Sequence, residues 1–104
     1  VRGVVVPVEG PVREVNVDGL DGMKEAIGGG WIEGVTLRQA RMYVDEEGLL
    51  RGLPVNPRAS ALYLFTHGII STPIVGDVLI LGPIVDDGED SDIPQVWHDW
   101  LTFE

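Results

Sequence analysis

The apolar positions change period along this chain, and each change marks an element. "GVVVPV" and "VREVNV" read as two short β-strands on either side of the turn "PVEGP". In the second, Val12, Glu14 and Asn16 interleave with Arg13, Val15 and Val17, an imperfect alternation that suits a half-exposed strand. "DGLDGMKEAIGGG" has a helical period: Leu20, Met23 and Ile27 recur on one side, Asp18 or Asp21 can cap it, and Gly28 to Gly30 stop it. "WIEGVTL" and "RMYV" are two more strands, separated by the polar "RQA".

The run "YVDEEGLLRGLPVNPRASALY" is the densest in local signals. "DEEG" predicts a turn, and "LLRGLP" an irregular connection with apolar anchors. "NPRASALYLFTHG" is then a helix with Asn56 as N-cap, Pro57 at its first position and Gly68 past its end. Ala59, Leu62, Tyr63 and Phe65 give that helix an apolar surface wide enough to be largely buried. Val78 to Leu81 form a continuous apolar strand expected at the centre of the sheet. The remainder opens as an acidic loop and ends in an amphipathic helix with Ile93, Val96, Trp97, Trp100 and Leu101 on one face.

This order predicts an α+β fold: a single small mixed sheet of about five strands, two short helices on one face of it, and a helix at the C-terminal end. Residues 1–85 form the core domain in this reading, and 86–104 an acidic C-terminal segment. The 104 residues suffice for one modest core, and 44% hydrophobic content argues for a folded chain. No cysteine is present, so disulfides and thiolate metal sites are excluded, which suits a reducing cytoplasm. No apolar run approaches the ~18 residues of a membrane span, and no charged-then-apolar signal segment opens the chain.

Charge is distributed unevenly. Of a net −10, the last nineteen residues hold seven acids and no Lys or Arg, while the first 85 hold ten acids against seven bases. An acidic segment disfavours phosphate binding, so no direct contact with nucleic acid is expected.

Candidate chemistry is sparse. Asp45, Glu46 and Glu47 could hold Mg²⁺, but adjacent acids in a turn diverge, and a solvated turn is the plainer reading. Asp86, Asp87, Glu89, Asp90 and Asp92 lack the spacing of an EF-hand loop. His67 stands at a helix end, where the dipole favours a cation. His98 and Asp99 are helix neighbours, which do not face one another. There is no Gly-x-Ser-x-Gly elbow and no phosphate loop. With no assembled constellation, no enzyme, cofactor or metal is expected.

The run from Tyr43 to Leu64, followed by "IVGDVLILG", resembles domain of unknown function 3846, a family of bacteriophages, plasmid-like elements and their bacterial hosts. The resemblance rests on Glu46, Glu47, Gly48, Leu53, Pro54, Asn56, Ala59, Ser60, Gly76 and Asp77, with Asp45 where the family often has Asn and Ser60 where it has Thr. It covers most of residues 3 to 85 and leaves the acidic segment outside. It implies a small cytoplasmic protein of a phage or mobile element, or of its bacterial host, and carries over no catalytic residue. Some relatives accompany antirestriction functions.

The expectation is therefore a non-enzymatic accessory protein that binds a host or phage protein, as a monomer or homodimer. Asp86, Asp87, Glu89, Asp90, Asp92, Trp97 and Trp100 are its candidate partner-binding residues, the acids steering it toward a basic surface. The two tryptophans either dock a partner, cover this domain's own sheet, or close a homodimer. One alternative is a DNA mimic that inhibits a DNA-binding enzyme. Another is a binder of small ligands such as nucleotides, with Arg38, Arg41, Arg51 and Arg58 as candidate phosphate clamps.

Overall fold

A computed structural model describes residues 1–28, 30–69 and 72–103. The elements in chain order are β1 (Arg2–Val6), β2 (Arg13–Asn16), α1 (Gly19–Ala26), β3 (Ile32–Thr36), β4 (Arg41–Asp45), α2 (Pro57–His67), β5 (Val78–Leu81) and α3 (Gln95–Thr102). The α+β class, the five strands and the C-terminal helix all agree with the sequence pattern. Strand order is β2-β1-β5-β4-β3.

Every pairing is antiparallel, where a mixed sheet was expected. β1–β2 and β3–β4 are hairpins, and β5 is inserted between them against both inner strands. Its central place follows from its composition: Val78, Leu79, Ile80 and Leu81 are all fully buried.

Helices also cover both faces of the sheet rather than one. On the first face, Val4, Val6, Met42, Val44, Val78 and Ile80 pack against Ala59 and Leu62 of α2, against Ile93, and against Trp97 and Leu101 of α3. On the second, Val5, Tyr43, Leu79 and Leu81 pack against Val17, against Met23 of α1 and against Ile27, its C-cap. The reason is legible in β1 and β5, which are apolar at successive positions. A strand with both sides apolar must be covered on both sides.

The caps behave unequally. Asn56 accepts the Ala59 amide at 3.0 Å with its side chain, and Gly68 closes α2 in the left-handed region at φ 76°. Asp18 takes the N-cap position of α1 but makes no side-chain cap bond. Of the three glycines expected to stop α1, Gly28 has φ 102°, and Gly29 lies outside the described residues.

Candidate interaction surface

Most of the residues that carry the family pattern, though not Glu46 and Glu47, converge on one another. Asn56 is fully buried. Besides capping α2, its amide nitrogen donates to the Val6 carbonyl at 3.0 Å and to the Gly76 carbonyl at 2.9 Å. The Gly76 amide donates to the Pro54 carbonyl, and the Asn56 amide to that of Ile74. Ser60 Oγ accepts from the Ile74 amide, and Asp77 accepts from the Val8 amide. Gly76 adopts φ 75°, and a Cβ there would meet the Leu53 side chain at 2.8 Å. Gly48 is buried, and a Cβ on it would lie 2.7 Å from Val75 Cγ2. These residues tie β1, α2 and the entry to β5 together; their work is architecture.

The acidic turn is not the wholly solvated one expected. Glu46 and Glu47 are exposed, but Asp45 is 6% exposed. As the last residue of β4 it alternates onto the α1 face, where it pairs with Arg51 and accepts the Glu47 amide at 2.8 Å.

The four candidate arginines have separate tasks. Arg51 holds Asp45 at one end of β4. Arg41, at the other end, lies over the Tyr43 ring and donates to Thr36 Oγ1. Its guanidinium occupies the space a Cβ on Gly34 would need. Arg58, on the opposite face, donates to the carbonyls of Pro7 and Gly10. Arg38 lies on the β3–β4 turn, where its carbonyl accepts the Trp97 indole at 2.7 Å. The set forms no common clamp.

Residues 82–93 wrap the end of the sheet from one face to the other. The Gly82 amide donates to Ser91 and the Ile93 amide to Arg2. Three of the five acids accept bonds from the chain itself: Asp90 the Tyr43 hydroxyl, Asp92 the Arg2 amide at 2.8 Å, and Asp87, within its own turn, the Glu89 amide at 3.3 Å. Burial, reinforced by the Asp90 carboxylate, pushes the Tyr43 phenol up to about 12. Asp86, Asp87 and Glu89 remain exposed. Among the described residues no three carboxylate or imidazole side chains group as metal ligands.

The apolar stripe on α3 divides. Ile93 is buried, Trp97 and Leu101 are half-buried against the first face, and Val96 and Trp100 point outward at 68% and 60% exposure. The two indoles meet edge to face with centroids 5.9 Å apart. Across from Trp100 stands Phe65 of α2, 74% exposed, contrary to its expected burial. A trough runs between the two helices. One lobe, of about 450 Å³, is lined by Arg38, Phe65, Val96, Trp97 and Trp100. The other, of about 510 Å³, is lined by Arg58, Ala61, Phe65, Trp100, Leu101 and Phe103.

His98 fixes α3 to the sheet. One ring nitrogen pairs with Glu14 on β2, and the other is 3.4 Å from Asp99, a contact not expected between helix neighbours. Glu14 first, and Asp99 second, raise the His98 pKa above its ordinary value. Gln95 and then His98 lower that of Asp99.

A second hollow, of about 340 Å³, lies beside the edge strand β3. Glu33, Val35 and Val44 line it, with Tyr63, His67 and Ile74. The Tyr63 and His67 rings stack at 4.4 Å, and His67 Nε2 donates to the Thr36 carbonyl at 2.9 Å. The last-turn histidine thus holds α2 to β3.

A family model described as Domain of unknown function (DUF3846) matches residues 1–101. The chain belongs to that family. No curated protein and no solved structure matches it. The family match runs to residue 101, so it takes in most of the acidic segment and of α3, which the resemblance had left outside. The tethers through Asp90, Asp92 and Ile93 give that extent a physical basis.

In this DUF3846 chain Trp100 was assigned to the same helix face as Trp97 but is exposed, and Phe65, Val96 and Phe103 were not expected as exposed surface. The signal was present in α2: Tyr63, Leu64 and Phe65 are successive apolar residues, and a helix cannot turn all three toward one sheet. Among the described residues no helix is long and apolar enough to cross a membrane.

Proposed function

We propose that this chain is a non-enzymatic, protein-binding accessory module that engages its partner through the α2–α3 face. The carrying observation is the continuous exposure of Phe65, Val96, Trp100 and Phe103 across two neighbouring helices. A large contiguous exposed apolar patch marks an interaction site, and Trp is enriched among the residues that anchor one. Asp86, Asp87 and Glu89 stay exposed and strengthen the acidic field of the molecule, which acts on encounter rates over longer range. Their companions Asp90 and Asp92 are engaged internally, so contact energy in this reading comes from the aromatic face. A cytoplasmic module of a phage, a mobile element or its bacterial host is consistent with the family resemblance and the absence of cysteine.

Native mass spectrometry tests this. The tagged chain and its Phe65→Ser/Trp100→Ser double variant are purified from the same infected or plasmid-bearing bacterium. A protein-sized mass should accompany the first and be lost from the second. A bare chain from both preparations, or one adduct shared equally, refutes the reading.

A further inference from the structure

The chemistry of the occupant can be read from charge. Residues 48–76 contain no Asp or Glu in a chain of net charge −10, although they include Arg51 and Arg58. This run includes the whole of α2, so one wall of the trough carries no acid. On the other wall, the carboxylate of Asp99 is held by Gln95 at 2.8 Å and faces His98.

The trough has two ends, and each has an arginine. One lobe joins the C-terminal half of α2 to the N-terminal half of α3 and includes Arg38. The other joins the start of α2 to the end of α3 and includes Arg58. The helices therefore flank the trough antiparallel, with Phe65 and Trp100 shared between the lobes. Among the described residues Arg58 bonds to two carbonyls and neither it nor Arg38 makes a side-chain ion pair, so no described carboxylate neutralises either charge. From Arg58 to Phe65 is two turns of helix, about 10 Å.

We propose that the trough receives an amphipathic helical segment of a partner protein, apolar at i, i+3 or i+4 and i+7, with carboxylates flanking that core at both ends. This inference rests on the protein-binding reading above and specifies its partner. The apolar side chains seat on either side of the Phe65–Trp100 bar, as in other helix-in-groove complexes. The flanking carboxylates meet Arg38 and Arg58, whose planar guanidinium groups suit carboxylate pairing. A basic segment is disfavoured by the same two charges.

The test is selection from a random library of displayed peptides about five helical turns long. The whole folded chain is the bait, and Phe65→Ser/Trp100→Ser serves for counter-selection. Enriched peptides should carry Asp or Glu on both sides of a helical apolar core. They should bind Arg38→Gln/Arg58→Gln roughly tenfold more weakly at low salt, a difference that shrinks as salt rises. Enriched peptides without acids, or with Lys and Arg flanks, overturn the partner class while leaving the docking reading intact. No enrichment that depends on Phe65 and Trp100 overturns both. Self-association of the wild type that the double serine variant abolishes would make a second copy the occupant, and also overturns the proposal.

Discussion

Replacing Asn56 by alanine removes three hydrogen bonds from one fully buried side chain: the cap on the Ala59 amide and the two amide donations to Val6 and Gly76. Loss of an N-cap side chain costs about 1 kcal/mol. Each carbonyl deprived of a buried donor adds about 1 kcal/mol, toward the low end of the desolvation range because a carbonyl has a second lone pair. Asn56→Ala should therefore destabilise by about 3 kcal/mol, a large share of the ~5–15 kcal/mol available to a domain. Asn56→Ser keeps a cap acceptor and loses the amide donors, so its cost should be about 2 kcal/mol. Asn56→Asp keeps the cap but sets a carboxylate against two carbonyl oxygens, so it should recover stability as pH falls and the acid is protonated. Urea denaturation followed by tryptophan fluorescence and circular dichroism measures all three. An alanine variant within ~0.5 kcal/mol of wild type, the usual range for an inconsequential surface change, would refute the architectural role given to the family pattern.

Two further predictions concern pH. The raised pKa of His98 means that its pairing with Glu14 contributes stability fully present below the unfolded value of about 6.5. That contribution is lost as pH rises through the higher folded value. Glu14→Gln should lower the His98 midpoint in an NMR titration more than Asp99→Asn does, and the reverse order would contradict the geometry. The Tyr43 phenol, pushed up to about 12, contributes stability that holds to about pH 10 and is lost between there and 12. Tyr43→Phe removes the hydroxyl that holds Asp90, so amide exchange should quicken across residues 85–91 and leave β1 and β5 protected.

Much of the architecture was readable because it rests on local or strongly patterned signals. The uninterrupted apolar run Val78 to Leu81 announced a central strand, and Asn56, Pro57 and Gly68 bounded α2 closely. The helical period was right for α3, but a period alone does not say what stands over each side of a helix. Phe65 and Val96 were assigned to apolar faces that sequence could not show to be uncovered. Asp45 was misjudged because its burial depends on Arg51 six residues on, a pairing made by the loop's path. Asp90 and Asp92 looked free for the same reason, since their partners Tyr43 and Arg2 are far away in sequence. The trough is likewise made by two helices that meet only in the folded chain.

The position of β5 has a consequence for how the chain reaches its native state. The hairpins β1–β2 and β3–β4 can each close over short loops, yet they share no hydrogen-bonded edge and meet only through β5. Val4 waits for Ile80, and the Arg2 carbonyl for the Ile93 amide. On a ribosome the first strand is thus made early and stays half-paired until almost the whole domain has emerged. Such long-range closure is slow compared with local pairing. A chain stopped before Val78 would be left with two separate ribbons, each with an apolar inner edge open to pairing with other chains.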